Sequence, residues 1–268
     1  MEALSKPIVI EDEEVCLYGI FRGVKDPKTV IVFIPALTGT RIGPQRMFVE
    51  IANHLNKENI GSICFDFPYA GDSIDKTHTN PLYLRDYYNF HLSKVCDFLL
   101  QEYPRSEIIF ISISIGCMPI LEFSEKNKLN KVILLSPNHL SKNKTIVNKH
   151  NIYAYFIKLF QFNTWRKLFF LKLNFGRIVS NVFYIKSKEK KNRNEENNHL
   201  ITCGKVDLLC IFGENDPELM ENQKFWKHNN IQGRFNNYDE YIVPNSDHSY
   251  MGWNSKEELL TKISNWLN

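Results

Sequence analysis

The chain has 268 residues, a formal net charge of +3, 43% hydrophobic and 24% charged residues. That is ordinary globular composition, with enough chain to bury a core in one large domain or two small ones. No stretch reaches the roughly 18 consecutive apolar residues that a membrane-spanning helix needs, and the opening MEALSKPIVIEDEEV turns acidic at once, without the apolar centre of an export signal.

Short Val/Ile/Phe-rich runs alternate with helical patterns along the chain. Residues 8–10 and 15–21 read as an opening antiparallel hairpin. The runs at 29–35 (TVIVFIP), 61–66 (GSICFD), 107–113 (EIIFISI), 131–136 (KVILLS), 206–212 (VDLLCIF) and 234–243 read as further strands. Their continuous apolar character predicts burial on both faces, as in a parallel sheet. Helices are predicted at 45–55, 82–103, 116–126, 217–228 and 254–267. Strand–helix alternation of this kind predicts a doubly wound α/β sheet.

The six cysteines (Cys16, Cys64, Cys96, Cys117, Cys203 and Cys210) form no CxxC pair and sit mostly in apolar runs. They read as reduced, buried thiols of a cytoplasmic protein. No Cys/His cluster has metal-ligand spacing, so no metal is expected.

Residues 139–200 break the rhythm. They carry aromatic, helix-like stretches followed by the charged, Asn-rich KSKEKKNRNEENN. This segment is read as a helical cap with a charged loop, inserted between the sixth and seventh strands of a core formed by 1–138 and 201–268. It holds 13 Lys and Arg against 3 Glu, so a basic insertion accompanies an acidic remainder.

The chemistry centres on ISISIG, residues 111–116. A serine that follows a strand and precedes a helix can occupy a tight turn that lifts its hydroxyl above the sheet edge, provided the residues two before and two after it are small. For Ser114 these are Ser112 and Gly116; for Ser112 they would be Phe110 and Ser114, and the phenylalanine would clash. Ser114 is therefore the candidate nucleophile. A serine needs a base, and the base an orienting acid. His248, in VPNSDHSY between the last strand and the last helix, is the candidate base. Asp216, in FGENDPE just past a buried strand, is the candidate acid. Asp247, adjacent to the histidine, and Asp207, at the opposite strand end, are weaker alternatives. For the oxyanion, one backbone N–H is assigned to Ile115 and the other to Leu37, in the turn IPALTGT.

These residues resemble the α/β-hydrolase fold family, over nearly the whole chain outside the insertion. FDFPYAGDS at 65–73 is similar to the family's D-x-x-G-x-G-x-S turn. IPALTGT stands where the family has its His-Gly oxyanion turn, with Pro35–Ala36 in place of His-Gly, and Ser112 replaces the first glycine of G-x-S-x-G. GPQRMFVEIANHL resembles the first helix of the serine-aminopeptidase-like and acyl-esterase branches, which include esterases, thioesterases and lipases. The resemblance implies the triad Ser114–Asp216–His248, a cap between the sixth and seventh strands, and no cofactor. The expected activity is hydrolysis of acyl esters or thioesters through an acyl-enzyme. The alternatives are acyl transfer or thioester cleavage on an anionic carrier (CoA or acyl carrier protein), and a non-catalytic binding module. The expected partner is a small-molecule acyl substrate, with no nucleic acid and no membrane span.

Several residues carry two readings. The aromatics of the insertion either pack it onto the core or line an acyl pocket. Its basic residues either form a solvated face or attract an anionic substrate or carrier. Arg41 and Arg46, just after the oxyanion turn, either bind a substrate carboxylate or phosphate or pair on the surface.

Overall fold

The structure, a computed structural model, describes residues 4–36, 39–68, 70–77, 84–127, 129–137, 205–228, 230 and 232–268. The 139–200 insertion, the candidate oxyanion donor Leu37 and Cys203 lie outside the described residues.

The strands are β1 (Leu4–Glu11), β2 (Val15–Gly23), β3 (Thr29–Ile34), β4 (Gly61–Phe65), β5 (Ile74–Asp75), β6 (Glu107–Ile113), β7 (Lys131–Leu135), β8 (Asp207–Gly213) and β9 (Asn237–Val243). They form one sheet in the order β1-β2-β4-β3-β6-β7-β8-β9, with β5 paired to β2 at its side. β2 runs antiparallel to β1, β4 and β5. Every pairing from β4 through β3, β6, β7 and β8 to β9 is parallel.

Parallel neighbours cannot be joined by a tight turn, so a helix must cross over one face. The described helices are α1 (Met47–Asn56), α2 (Leu84–Glu102), α3 (Cys117–Asn127), α4 (Leu219–His228) and α5 (Trp253–Leu267). Alternate residues of the central strands feed two cores. On one face, Val32, Ile34, Phe110, Leu134, Leu208 and Phe212 pack with Tyr88, Leu92 and Leu99 of α2, Ile120 of α3 and Trp226 of α4. On the other, Ile31, Phe33, Ile111, Ile133, Leu209 and Ile211 pack with Phe48, Ile51 and Leu55 of α1 and Leu259 and Ile263 of α5. Each fully buried side chain of this size contributes about 1.5–3 kcal/mol of transfer free energy, which explains why these strands carry almost no polar residue.

Three differences from the sequence reading have a plain physical reason. β1 extends over Leu4–Glu11, longer than the expected 8–10, with Ile8 its one fully buried apolar side chain. It is an edge strand, so it tolerates Lys6 and Pro7, which an interior strand would not carry. β5 has only two residues and no periodicity to read; counting it makes the expected insertion fall between β7 and β8. The first helix starts at Met47 and not at Gln45, because Gln45 and Arg46 take left-handed backbones with φ of 49° and 62°.

The topology also places the site. From β3 the chain passes to β4 on one side and later returns through β6 on the other. The chain leaving β3 leads to α1 on one face and the chain leaving β6 leads to α3 on the other, which makes this the switch point, where open α/β sheets bind ligands. No helix among the described residues is long and apolar enough to cross a membrane.

Candidate active site

β6 ends at Ile113 in extended conformation (φ −129°, ψ 144°), a single turn covers Ser114–Gly116, and α3 begins at Cys117 (φ −68°, ψ −44°). Ser114 itself has φ of 57°. A left-handed backbone on a non-glycine residue costs on the order of 1 kcal/mol or more and persists only where the surroundings impose it. Here the strand and the helix impose it. A Cβ added at Gly116 would lie 2.6 Å from Ser112 Oγ and 3.3 Å from the Pro35 carbonyl oxygen, so the turn closes only with glycine there. Ser114 and Ile115 are half-buried, at the carboxyl edge of the sheet.

Two strands away, Asp216 and His248 meet. Asp216 Oδ2 stands 2.8 Å from His248 Nδ1, the geometry of an N–H donating to a carboxylate. The carboxylate is fully buried, whereas the imidazole is 30% exposed, so the acid is shielded and the ring faces solvent. The other oxygen, Oδ1, accepts the Glu218 N–H at 2.9 Å, which fixes the carboxylate's orientation as α4 begins.

The histidine loop is tied to the end of β8 from several directions. Asn215 N–H donates to the Ser246 carbonyl at 2.7 Å, and Glu214 N–H to the Val243 carbonyl at 3.0 Å. A Cβ at Gly213 would meet the Asp247 carbonyl oxygen at 2.2 Å, so the loop lies directly on a glycine backbone. Tyr250, buried and left-handed (φ 54°), donates its hydroxyl to the Ile211 carbonyl at 2.6 Å and accepts the Ser136 N–H at 3.0 Å. Burial pushes the Tyr250 phenol well above its ordinary range, so it stays a donor. The signal for Tyr250, two residues past His248, is weak in sequence, because its partners lie on β8 and after β7.

The alternative acids have other work. Asp247 Oδ1 accepts the N–H groups of Ser249 (2.9 Å) and Met251 (3.0 Å), holding the loop's own backbone. Asp207 Oδ1 accepts the side-chain amides of Asn236 (2.7 Å) and Asn237 (2.8 Å) at the opposite end of β8.

Of the assigned oxyanion donors, Ile115 sits in the turn after Ser114. Leu37 is outside the described residues; near it, Gly39 N–H donates to the Ala36 carbonyl at 2.7 Å. Arg41 has two carboxylate partners: it pairs with the buried Asp66 and, at 2.7 Å, with Asp72. Its backbone N–H also donates to Asp66 Oδ1 at 2.6 Å. These contacts hold the loop after β3 to the loop after β4. There a Cβ at Gly71 would lie 2.2 Å from the Asp66 carboxyl carbon, and Ser73 Oγ donates to the Asp66 carbonyl at 2.7 Å. Arg46 is exposed on its left-handed backbone, at the start of α1.

The described cysteines are free. Cys16, Cys64, Cys117 and Cys210 are buried and Cys96 is half-buried. Burial pushes the Cys64 and Cys96 thiols up to about 12, and Cys117 and Cys210 also rise. A thiol held protonated is a poor nucleophile, so Cys117, three residues after Ser114, does not compete with it.

The sequence profile of the alpha/beta hydrolase fold matches residues 29–179. No curated protein matches the chain in sequence. Among solved structures, an esterase of Pyrococcus furiosus is similar with a TM-score of 0.67 at 19% identity, over 98% of this chain and 90% of its own. An alpha-beta serine hydrolase homologue from Coxiella burnetii gives a TM-score of 0.62 at 12% identity, over 98% and 97%. A dienelactone hydrolase from Anabaena variabilis gives 0.61 at 9% identity, over 99% and 97%. With that profile covering more than half of its length, and with a mostly parallel sheet flanked by helices on both faces, the chain belongs to the alpha/beta hydrolase fold family.

Proposed function

We propose that this chain is a serine hydrolase of acyl esters or thioesters. Ser114 Oγ attacks the acyl carbonyl while His248 takes its proton. Asp216 holds the imidazole in the required tautomer and stabilises the cation that forms. The amides of Ile115 and Leu37 receive the oxyanion, each contributing a few kcal/mol to lowering the barrier. The alcohol or thiol then leaves with the proton that His248 returns to it. Water, deprotonated by the same histidine, releases the acid and restores the serine. The reaction so written uses no cofactor.

The observation that carries this reading is the Asp216–His248 pair, 2.8 Å apart with the carboxylate buried and the ring open, at the same sheet edge as the strained Ser114 turn. The solved relatives named as an esterase and as hydrolases support the same reaction class. The test is hydrolysis of p-nitrophenyl esters of increasing acyl length, alongside acyl-CoA thioesters followed by free-thiol release. Saturable turnover of at least one series is expected. No turnover of any ester or thioester by the folded chain sinks the reading.

The charge of 139–200, 13 basic against 3 acidic residues, favours one refinement: an acyl group carried by an anionic thiol such as CoA or acyl carrier protein. In that case kcat/KM on acyl-CoA falls steeply with added salt while kcat/KM on neutral esters does not. Equal salt dependence removes the refinement.

A further inference from the structure

Ser112, where the family pattern has glycine, adds a hydroxyl beneath the nucleophile. It is fully buried, and its Oγ donates to the Ile34 carbonyl at 3.1 Å. On α2, the equally buried Tyr88 donates its hydroxyl to the next carbonyl along, that of Pro35, at 3.0 Å. A Cβ at Gly116 would be 2.6 Å from Ser112 Oγ and 3.3 Å from both the Pro35 oxygen and the Tyr88 hydroxyl. Three oxygens, two of them hydroxyl and one carbonyl, therefore gather around one point under the Ser114 turn.

The position along β3 gives the arrangement its meaning. The β3–β6 ladder ends at the pair Ile34↔Ser112. The next residue, Pro35, has no N–H, so the backbone cannot donate there to extend the ladder. Immediately beyond lies the turn closed by Gly39 N–H on the Ala36 carbonyl. The last two carbonyls before that turn are each held by a side-chain hydroxyl from a different element. A peptide group is planar, so holding the Pro35 carbonyl also orients the Ala36 N–H, and holding the Ile34 carbonyl orients the Pro35 nitrogen, which carries no hydrogen; the chain therefore enters the turn in a fixed direction. Glycine at 112 would leave the Ile34 carbonyl without this donor, and phenylalanine at 88 would do the same to Pro35.

We propose that Ser112 and Tyr88 form a hydroxyl clamp that positions the oxyanion turn relative to the Ser114 turn. The proposal rests on the serine-hydrolase reading above. Neither residue touches substrate; both are positioning residues, acting through the Ile34–Ala36 backbone. An error of about 1 Å in such a turn can cost on the order of 100-fold in rate, and a partial loosening correspondingly less.

The test compares wild type with Ser112→Ala, Ser112→Gly, Tyr88→Phe and the Ser112→Ala/Tyr88→Phe double variant. Two quantities are read: kcat and KM on p-nitrophenyl butyrate, and the inhibition constant of an alkyl trifluoromethyl ketone, whose serine hemiketal carries the oxyanion. Each single variant is expected to lower kcat about 10-fold with KM within about two-fold. The inhibition constant rises by the same factor by which kcat/KM falls. The double variant falls short of the product of the singles, because a turn released at one carbonyl gains less from the other. A merely structural defect lowers the folded fraction, and with it the apparent kcat, but leaves the inhibition constant unchanged; that result overturns the clamp. So does any single variant whose kcat and inhibition constant stay within two-fold of an active wild type. If Ser112→Ala does not fold, Tyr88→Phe decides by the same two readouts. A folded wild type inert to both ester and ketone overturns the hydrolase reading, and the clamp with it.

Discussion

Replacing Ser114 by alanine is expected to lower kcat on an aryl ester by about 10⁴-fold or more. KM should change little, because the hydroxyl removed makes its bond only as the reaction proceeds. The effect follows from the backbone as much as from the hydroxyl. Ser114 takes its φ of 57° in the turn between strand and helix, half-buried at the carboxyl edge of the sheet. No described cysteine is placed to take over, since the nearest, Cys117, is fully buried with its thiol held protonated. Alanine keeps the same backbone constraint, so the variant should melt close to wild type, and the lost rate then belongs to the reaction. A Ser114→Ala variant within ten-fold of wild type in kcat contradicts the assignment.

The second large effect is expected at Asp216. Asp216→Asn should lower kcat about 10³- to 10⁴-fold. Because Oδ1 accepts the Glu218 N–H at 2.9 Å, an asparagine keeps its carbonyl oxygen on that side. Its NH₂ must then face His248 Nδ1. A donor there forces Nδ1 to be the acceptor and leaves the proton on Nε2, where it cannot receive one from serine. Asp247→Asn is the matched control. An amide oxygen can still accept from Ser249 and Met251, as the carboxylate does at 2.9 and 3.0 Å, so kcat should stay within about ten-fold. Steady-state kinetics of the pair separates the two acids. An Asp247→Asn variant losing more rate than Asp216→Asn reverses the assignment.

How much of this was legible in the sequence depends on where each residue's partners lie. β3, β6, β7 and β8 could be read because a strand buried on both faces must be apolar throughout. β1 was under-read because it lies at the sheet edge, where Lys6 and Pro7 are tolerated. β5 has two residues and no pattern at all. Ser114, Asp216 and His248 each stand just past a strand, so strand ends located them without knowledge of distance. Arg41 was visible only as a charge. Its partner Asp66 lies 25 residues on and is buried, and local sequence does not reveal a pairing across two loops. Ser112 was visible as a departure from glycine, but not its acceptor, Ile34, 78 residues earlier. Tyr88 and Tyr250 carried little signal, because the partners of a buried tyrosine hydroxyl lie far off in sequence and show only once the hydroxyl is seen on a carbonyl.

The central claim, that Ser114 is an activated nucleophile, is tested most directly by covalent labelling. The full chain is treated with a fluorophosphonate, and the adduct is located by peptide mass spectrometry, beside the Ser114→Ala variant. The account predicts one phosphonyl group per chain, on the peptide carrying Ser114, and none on the variant. A folded wild type left unlabelled, or a variant labelled as fast as wild type, contradicts it.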